Sequence, residues 1–163
     1  MNEPVQSLIE ALREELQQCG EMLALLDQQQ ELVVRRDTGK LLENLAAINA
    51  QTSVIQVARQ QREQQQRALN ALVQLPANAT FRELLPLLSD ERRLLVQALV
   101  DEVNQCLHRV HQRTRQNHLL LSRSVEMIQR FIATLFPANG VTTYASDGRV
   151  TTTGGSGLCE VTA

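Results

Sequence analysis

The chain has 163 residues, of which 43 % are hydrophobic and only 2 % aromatic, and its formal net charge is −2 at pH 7. This length suits a single domain with one core. The small negative charge offers no electrostatic basis for binding nucleic acid or an acidic membrane surface. The sequence contains no run of about 18 apolar residues, so we expect no membrane-spanning segment and no direct membrane insertion.

The first segment carries a helical apolar stripe. Apolar residues recur at 5, 9, 12, 16, 19, 23, 26 and 33, mostly in steps of three and four. This heptad-like period is typical of a helix that buries one face. We predict a helix from near Pro4 to about Arg36, since proline suits a first helical turn. The break is placed at Asp37-Thr38-Gly39, where Asp37 or Thr38 can cap the next helix.

A second helix is predicted from this break to Leu75-Pro76. A polar, glutamine-rich run from Arg59 to Arg67 interrupts its apolar stripe. This run favours one of two interpretations. It is either a solvated helix that projects beyond its partners, or a coiled-coil surface that pairs with another chain.

The segment 76–89 separates the second helix from the longest one. Thr80 and Glu83 have the spacing of a capping box, and Pro86 limits the helix that they start to a short, irregular one. The last helix is predicted from Asp90 to Phe136, which would span roughly 70 Å at ~1.5 Å per residue. Its end is the most apolar stretch of the chain, and the shorter first helix cannot cover all of it.

These segments predict an all-α fold. We expect an antiparallel bundle of long helices with coiled-coil-like packing over residues 1–137, followed by a disordered, flexible tail rich in Gly and Thr over 138–163. The tail holds five of the seven glycines and the only tyrosine, Tyr144. An aromatic residue in such a tail has no core to join, so it is either incidental or a short docking element.

The sequence offers no candidate for catalysis. His108 and His111 are three residues apart on the long helix, but no second motif supplies further metal ligands. The glycines near the C-terminus lack the Lys-Ser/Thr of a phosphate-binding loop. We therefore predict a protein that is not an enzyme and needs no metal or cofactor. Three cysteines form no disulfide framework and no signal peptide is evident, so the expected location is the cytoplasm.

Two short motifs, and the order of the segments along nearly the whole chain, resemble the FlgN family of flagellar export chaperones. Asn117 with Leu120 and Leu121 resembles the family's Asn-x-x-Leu-Leu segment. The tail stretch 143–148, with Tyr144, Asp147 and Gly148, resembles the family's Tyr-x-x-Asp-Gly motif.

The resemblance implies a cytoplasmic chaperone that binds hook-associated proteins of the hook–filament junction and delivers them to the cytoplasmic domain of the flagellar type III export gate. It places client binding in the last helix. The candidate residues there are Asn117, Leu120, Leu121, Met127, Ile128, Phe131 and Leu135. It places docking to the export gate on Tyr144, with Asp147 and Gly148 of the same motif.

Two questions stay open at this point. The apolar end of the last helix is either a binding groove for a client helix or part of the bundle core. The same apolar stripes also suit a structural coiled-coil or adaptor protein that self-associates permanently, or a homodimer that a client displaces. A metal-dependent bundle enzyme would need repeated Glu-x-x-His pairs, which the sequence lacks.

Overall fold

The structure, a computed structural model, describes residues 2–135, 142–144 and 150–152. Its elements in chain order are α1 (Asn2–Arg35), α2 (Thr38–Leu72), α3 (Phe81–Leu84), a 3-10 turn (Leu85–Leu87), α4 (Asp90–Leu135), β1 (Thr142–Tyr144) and β2 (Val150–Thr152). The chain divides into two compact units, residues 1–120 and 121–163, so α4 contributes to both. The prediction of an all-α bundle of long helices is confirmed, with helix bounds that differ from the predicted ones by a few residues.

In the first unit, α2 runs antiparallel to α1 and α4 runs parallel to it. Asn44 of α2 donates a hydrogen bond to the carbonyl of Leu25, and Gln51 donates one to the carbonyl of Gln18, each at 3.0 Å. Residue numbers therefore decrease along α1 in the direction in which they increase along α2. On α4 they rise together with those of α1. The side chain of Cys106 hydrogen-bonds to that of Cys19, and further along both helices the Nε of Arg113 lies 2.6 Å from the Oδ1 of Asp27.

The core lies at the end of the first unit where α1 begins. It is formed by apolar side chains of all three long helices and of the segment between α2 and α4, namely Val5, Leu8, Ile9, Leu12, Leu69, Leu84, Leu85, Leu88, Val96, Leu99 and Val103. Leu84, Leu85 and Leu88 cover this end of the bundle, which explains why a short connecting segment is so rich in leucine. Burial of these aliphatic groups is the main source of stability.

Helix α1 buries two faces, whereas the sequence predicts one. The predicted stripe, which includes Ile9, Leu12 and Cys19, is buried. A second stripe contains Leu8, Glu15, Gln18, Met22, Gln29 and Leu32, and it is buried as well. Because α1 contacts both α2 and α4, it needs two buried faces, and polar side chains on the second one conceal it from a search for apolar periodicity.

Both α1 and α2 end in the same backbone arrangement without a glycine. Arg36 (φ 57°) and Gln74 (φ 60°) adopt the left-handed conformation. After α1, the N–H of Arg36 bonds to the carbonyl of Val33 at 3.2 Å, and the N–H of Asp37 bonds to that of Leu32 at 3.1 Å. This is a Schellman motif. The break therefore lies at Arg36, and the prediction that Gly39 belongs to it is wrong, because Gly39 lies in the first turn of α2.

The predicted caps are present. Asp37 accepts a hydrogen bond from the backbone N–H of Lys40 at 3.2 Å, which caps α2. At the start of α3, the Thr80 backbone N–H and hydroxyl donate to the Glu83 carboxylate at 2.7 and 2.9 Å. These hydrogen bonds favour the ionised form and lower the pKa of Glu83.

The composition predicts no secondary structure over residues 138–163, whereas a short antiparallel pair of strands lies within that range. Thr142 pairs with Thr152, Thr143 with Thr151 and Tyr144 with Val150. The rest of the predicted tail, and its predicted boundary at Pro137, lie outside the described residues.

Candidate functional site

Asn117, the first of the predicted client-binding residues, is 2 % exposed and lies between α4 and α1. Its side-chain amide donates hydrogen bonds to the carbonyl of Leu26 at 2.7 Å and to the Oε1 of Gln29 at 2.9 Å. Arg113, one turn earlier, contacts Asp27 and donates to the Oε1 of Gln30 at 2.7 Å. The polar residues at the centre of α4 thus hold this helix against α1. Asn117 is buried in that contact, so it is not part of the exposed surface at the end of α4.

The end of α4, within the second unit, presents an exposed apolar face. Met127 and Phe131 are each 63 % exposed, and the other large apolar side chains of this stretch are more than half exposed: Val125, Ile128, Ile132 and Leu135. Helical spacing puts Ile128, Phe131 and Leu135 on one side of the helix. Val125 and Ile132 are not among the predicted client-binding residues. They are seven residues apart, and therefore lie next to each other along one edge of the same side of the helix. Below, these six residues are the α4 apolar face.

Leu120 and Leu121 are half-buried. They lie on either side of the division between the two units. The predicted client-binding residues therefore differ in exposure: Asn117 is buried, the two leucines are half-buried, and the residues from Met127 to Leu135 are more than half exposed. Large exposed apolar patches on a protein surface mark interaction sites.

The predicted docking residues are described only in part. The backbone of Tyr144 ends β1, where it pairs with Val150 of β2. Asp147 and Gly148 lie in the connection between the two strands, outside the described residues.

A groove that the sequence did not predict lies in the first unit. It lies between α2 and α4 over α1, is also lined by residues 77–81, and has a volume of about 550 Å³. Apolar side chains form part of its lining, namely Leu12, Phe81, Val100, Val103 and Leu107. Charged side chains of α1 and α2 form another part, namely Glu15, Arg59, Arg62, Glu63 and Arg67. We call it the α2–α4 groove.

The polar run of α2 borders this groove, and it does not fit the interpretation of a wholly solvated helix. The Nε of Arg62 lies 2.9 Å from the Oε2 of Glu15, and the side chains are 16 % and 2 % exposed. The guanidinium of Arg62 also lies 5.9 Å from the centre of the Phe81 ring, within the range of a cation–π contact. The clue in the sequence is Glu15, a carboxylate flanked by apolar seam positions on α1.

Two cysteines meet between α1 and α4. Cys19 is fully buried, and Cys106 is partly buried. Burial, and then the neighbouring Cys106 and Glu15, raise the pKa of Cys19 to about 11. Burial also raises the pKa of Cys106, against a smaller opposing effect of Arg109. Such thiols behave as small apolar groups in the packing between the helices.

Among residues 2–135 and the two strands, no group of three or more His, Cys, Asp and Glu side chains is placed to hold a metal ion. None of the helices described has the length and apolar character that crossing a membrane requires.

Comparison with known proteins identifies the family. The family model described as FlgN protein matches residues 1–152 of the chain. No curated protein and no solved structure gives a significant match. FlgN proteins are flagellar export chaperones that bind hook-associated proteins. Since the match covers nearly the whole chain, the protein belongs to the FlgN family.

Proposed function

We propose that this protein is a cytoplasmic chaperone that binds hook-associated junction proteins through helix–helix contacts and delivers them to the flagellar export gate. The observation that carries the proposal is the α4 apolar face, where six large apolar side chains are each more than half exposed. An amphipathic helix of a client, with anchors at helical spacing, would bury them. Phe131 is the largest anchor on this face, and Met127 is the most adaptable.

The tail motif supports the second half of the proposal. Tyr144 with Asp147 and Gly148 carries the residue types of the family's docking motif. We assign these three residues to contact with the cytoplasmic domain of the export gate. A docking element separate from the client-binding face would let the chaperone hold its client and the gate at the same time.

The first experiment is size-exclusion chromatography with light scattering, on the purified protein alone and mixed with a hook-associated protein. A complex of defined stoichiometry is expected. If no complex forms and the protein alone is a stable large oligomer, the proposal is wrong and the alternative of a self-associating coiled-coil or adaptor protein holds. A dimer that the client converts into a 1:1 complex would show that the client displaces a second copy of the chain.

The residue assignments are tested with matched variants. Phe131→Asp is expected to abolish the client complex while far-UV circular dichroism keeps its helical signal. Ala133→Asp puts the same charge on the opposite side of the same exposed turn, and it should leave client binding unchanged. Loss of client binding in both variants to the same extent would remove the assignment to this face.

The docking assignment has its own test. Tyr144→Ala should keep client affinity and lose affinity for the purified cytoplasmic domain of the gate, and Phe131→Asp should do the reverse. An unchanged affinity of Tyr144→Ala for the gate domain would contradict the docking role.

A further inference from the structure

The α2–α4 groove has the form of an unfilled position in a helical bundle. Its apolar part includes Val100, Val103 and Leu107 of α4, at the spacing of one helical face, together with Leu12 of α1. Leu12 and Val103 are part of the core. A fourth helix laid between α2 and α4 would continue that core, as in four-helix bundles. The α2 residues along the groove run from Arg59 to Arg67, which corresponds to roughly 12 Å or about two helical turns.

The charges along the groove indicate which helix it suits. Three guanidinium groups line it, Arg59, Arg62 and Arg67, against two carboxylates, Glu15 and Glu63. Glu15 forms an ion pair with Arg62. The single carboxylate of Glu63 lies within 4 Å of all three arginines, at 3.1, 3.7 and 3.6 Å. The groove therefore has one positive charge in excess, on arginines that share one acceptor.

The positions of these arginines matter as much as their number. Arg62 is largely buried and committed to Glu15, whereas the side chains of Arg59 and Arg67 are 63 % and 65 % exposed. The two exposed guanidiniums stand eight residues apart on α2, about two turns, and can each turn to a carboxylate on an incoming helix.

We propose that the α2–α4 groove is a second client-contact site, which rests on the chaperone function proposed above, and that it takes about two turns of an acidic amphipathic helix of the client. The apolar side of that helix packs on Val100 and Leu107, which are partly exposed and lie beside the buried Val103. Its carboxylates pair with Arg59 and Arg67. This site lies in the first unit and consists of residues that do not belong to the α4 apolar face.

Site-specific photo-crosslinking in the complex with a hook-associated protein tests the contact directly. A photoreactive residue at Asn104, which is exposed and lines the groove, should crosslink to an acidic helical segment of the client. The matched control is Gln105, an exposed neighbour about 100° around the same helix, which should give no such product. Mass spectrometry of the crosslinked peptides identifies the segment.

Charge reversal tests the electrostatic part. Arg67→Glu, at an exposed position, should weaken client affinity about tenfold while far-UV circular dichroism keeps its helical signal, and the loss should shrink at high salt. Arg13→Glu makes the same change at an exposed position of α1 that does not line the groove, and it should leave affinity unchanged.

The outcomes separate this inference from the proposal on which it rests. If the wild-type protein forms no complex, the chaperone function itself fails. If the complex forms but Asn104 crosslinks no client, crosslinks a second copy of this chain, or Arg67→Glu binds like wild type, then the groove is not a client site, while the role of the α4 apolar face stands.

Discussion

Glu15 of α1 and Arg62 of α2 form an ion pair with 2.9 Å between the Oε2 and Nε atoms, and the carboxylate is only 2 % exposed. The two residues are 47 positions apart in the chain. The two residues have different neighbours in the sequence: Glu15 stands among apolar residues of α1, and Arg62 stands within the polar run of α2. Their pairing joins α1 to α2 at the edge of the α2–α4 groove.

Removal of Arg62 should therefore be costly. Arg62→Ala leaves the Glu15 carboxylate buried without its partner, and we expect the free energy of unfolding to fall by about 3 kcal/mol. Urea denaturation followed by circular dichroism measures it. Arg67→Ala, which removes an exposed arginine 3.6 Å from Glu63, should change stability by less than about 0.5 kcal/mol. The double variant Glu15→Leu/Arg62→Leu should recover most of the loss. Equal effects of the two single alanine variants would contradict a special role for the buried pair.

Asn117→Asp should destabilise the bundle more than its small change in size suggests. The new carboxylate would face the two acceptor oxygens that Asn117 now donates to, and we expect a cost of about 3 kcal/mol at neutral pH. Burial raises the folded-state pKa of the introduced carboxyl above its unfolded value. The folded state then binds more protons, so the deficit relative to wild type should shrink as pH falls from 7 toward 4.

Denaturation at several pH values checks this expectation. Asn104→Asp is the control, because it makes the same substitution at an exposed position of α4. A pH-independent deficit in Asn117→Asp would show that the introduced carboxyl is solvated, and that Asn117 does not hold α4 against α1 as described.

The two thiols between α1 and α4 should react slowly with alkylating agents. A pKa of about 11 at Cys19, against an ordinary value of 9.0, leaves about a hundredfold less thiolate at pH 8, and thiolate is the reactive form. In a Cys159→Ser background, iodoacetamide should modify Cys106, which is more exposed, before Cys19. Both rates should rise sharply in urea. Modification of Cys19 at the same rate in the folded and unfolded protein would overturn this assignment.

Arg36→Gly should stabilise the protein by about 0.5 to 1 kcal/mol. Arg36 holds a left-handed φ of 57° in the motif that ends α1, and a non-glycine residue is strained in that conformation. Thermal denaturation should show a higher midpoint. Arg35→Gly, one residue earlier and still within α1, should have the opposite effect, because glycine there loosens a regular helical turn. A lower midpoint for Arg36→Gly would indicate that its side chain contributes more than its backbone costs.

The helices can be predicted from the sequence, because the signals that start, continue and end a helix lie within a few residues of one another. The period of apolar residues, the cap at Asp37 and the capping box at Thr80 and Glu83 place the helices to within a few residues of their observed bounds. The apolar end of α4 could also be predicted, because the last helix is longer than the first and its end is the most apolar stretch of the sequence. Its exposure could not, because exposure depends on what packs beside it.

The positions of the buried polar residues depend on contacts between helices that are far apart in the chain. Burial of a carboxylate or of an amide N–H group is costly unless a distant residue pairs with it, as Arg62 does with Glu15 and the Leu26 carbonyl does with the side-chain N–H of Asn117. Apolar periodicity carries no information on such long-range partners. For this reason the second buried face of α1, the burial of Asn117 and the α2–α4 groove were not predictable from the order of residues, and they emerge only when three helices are placed side by side.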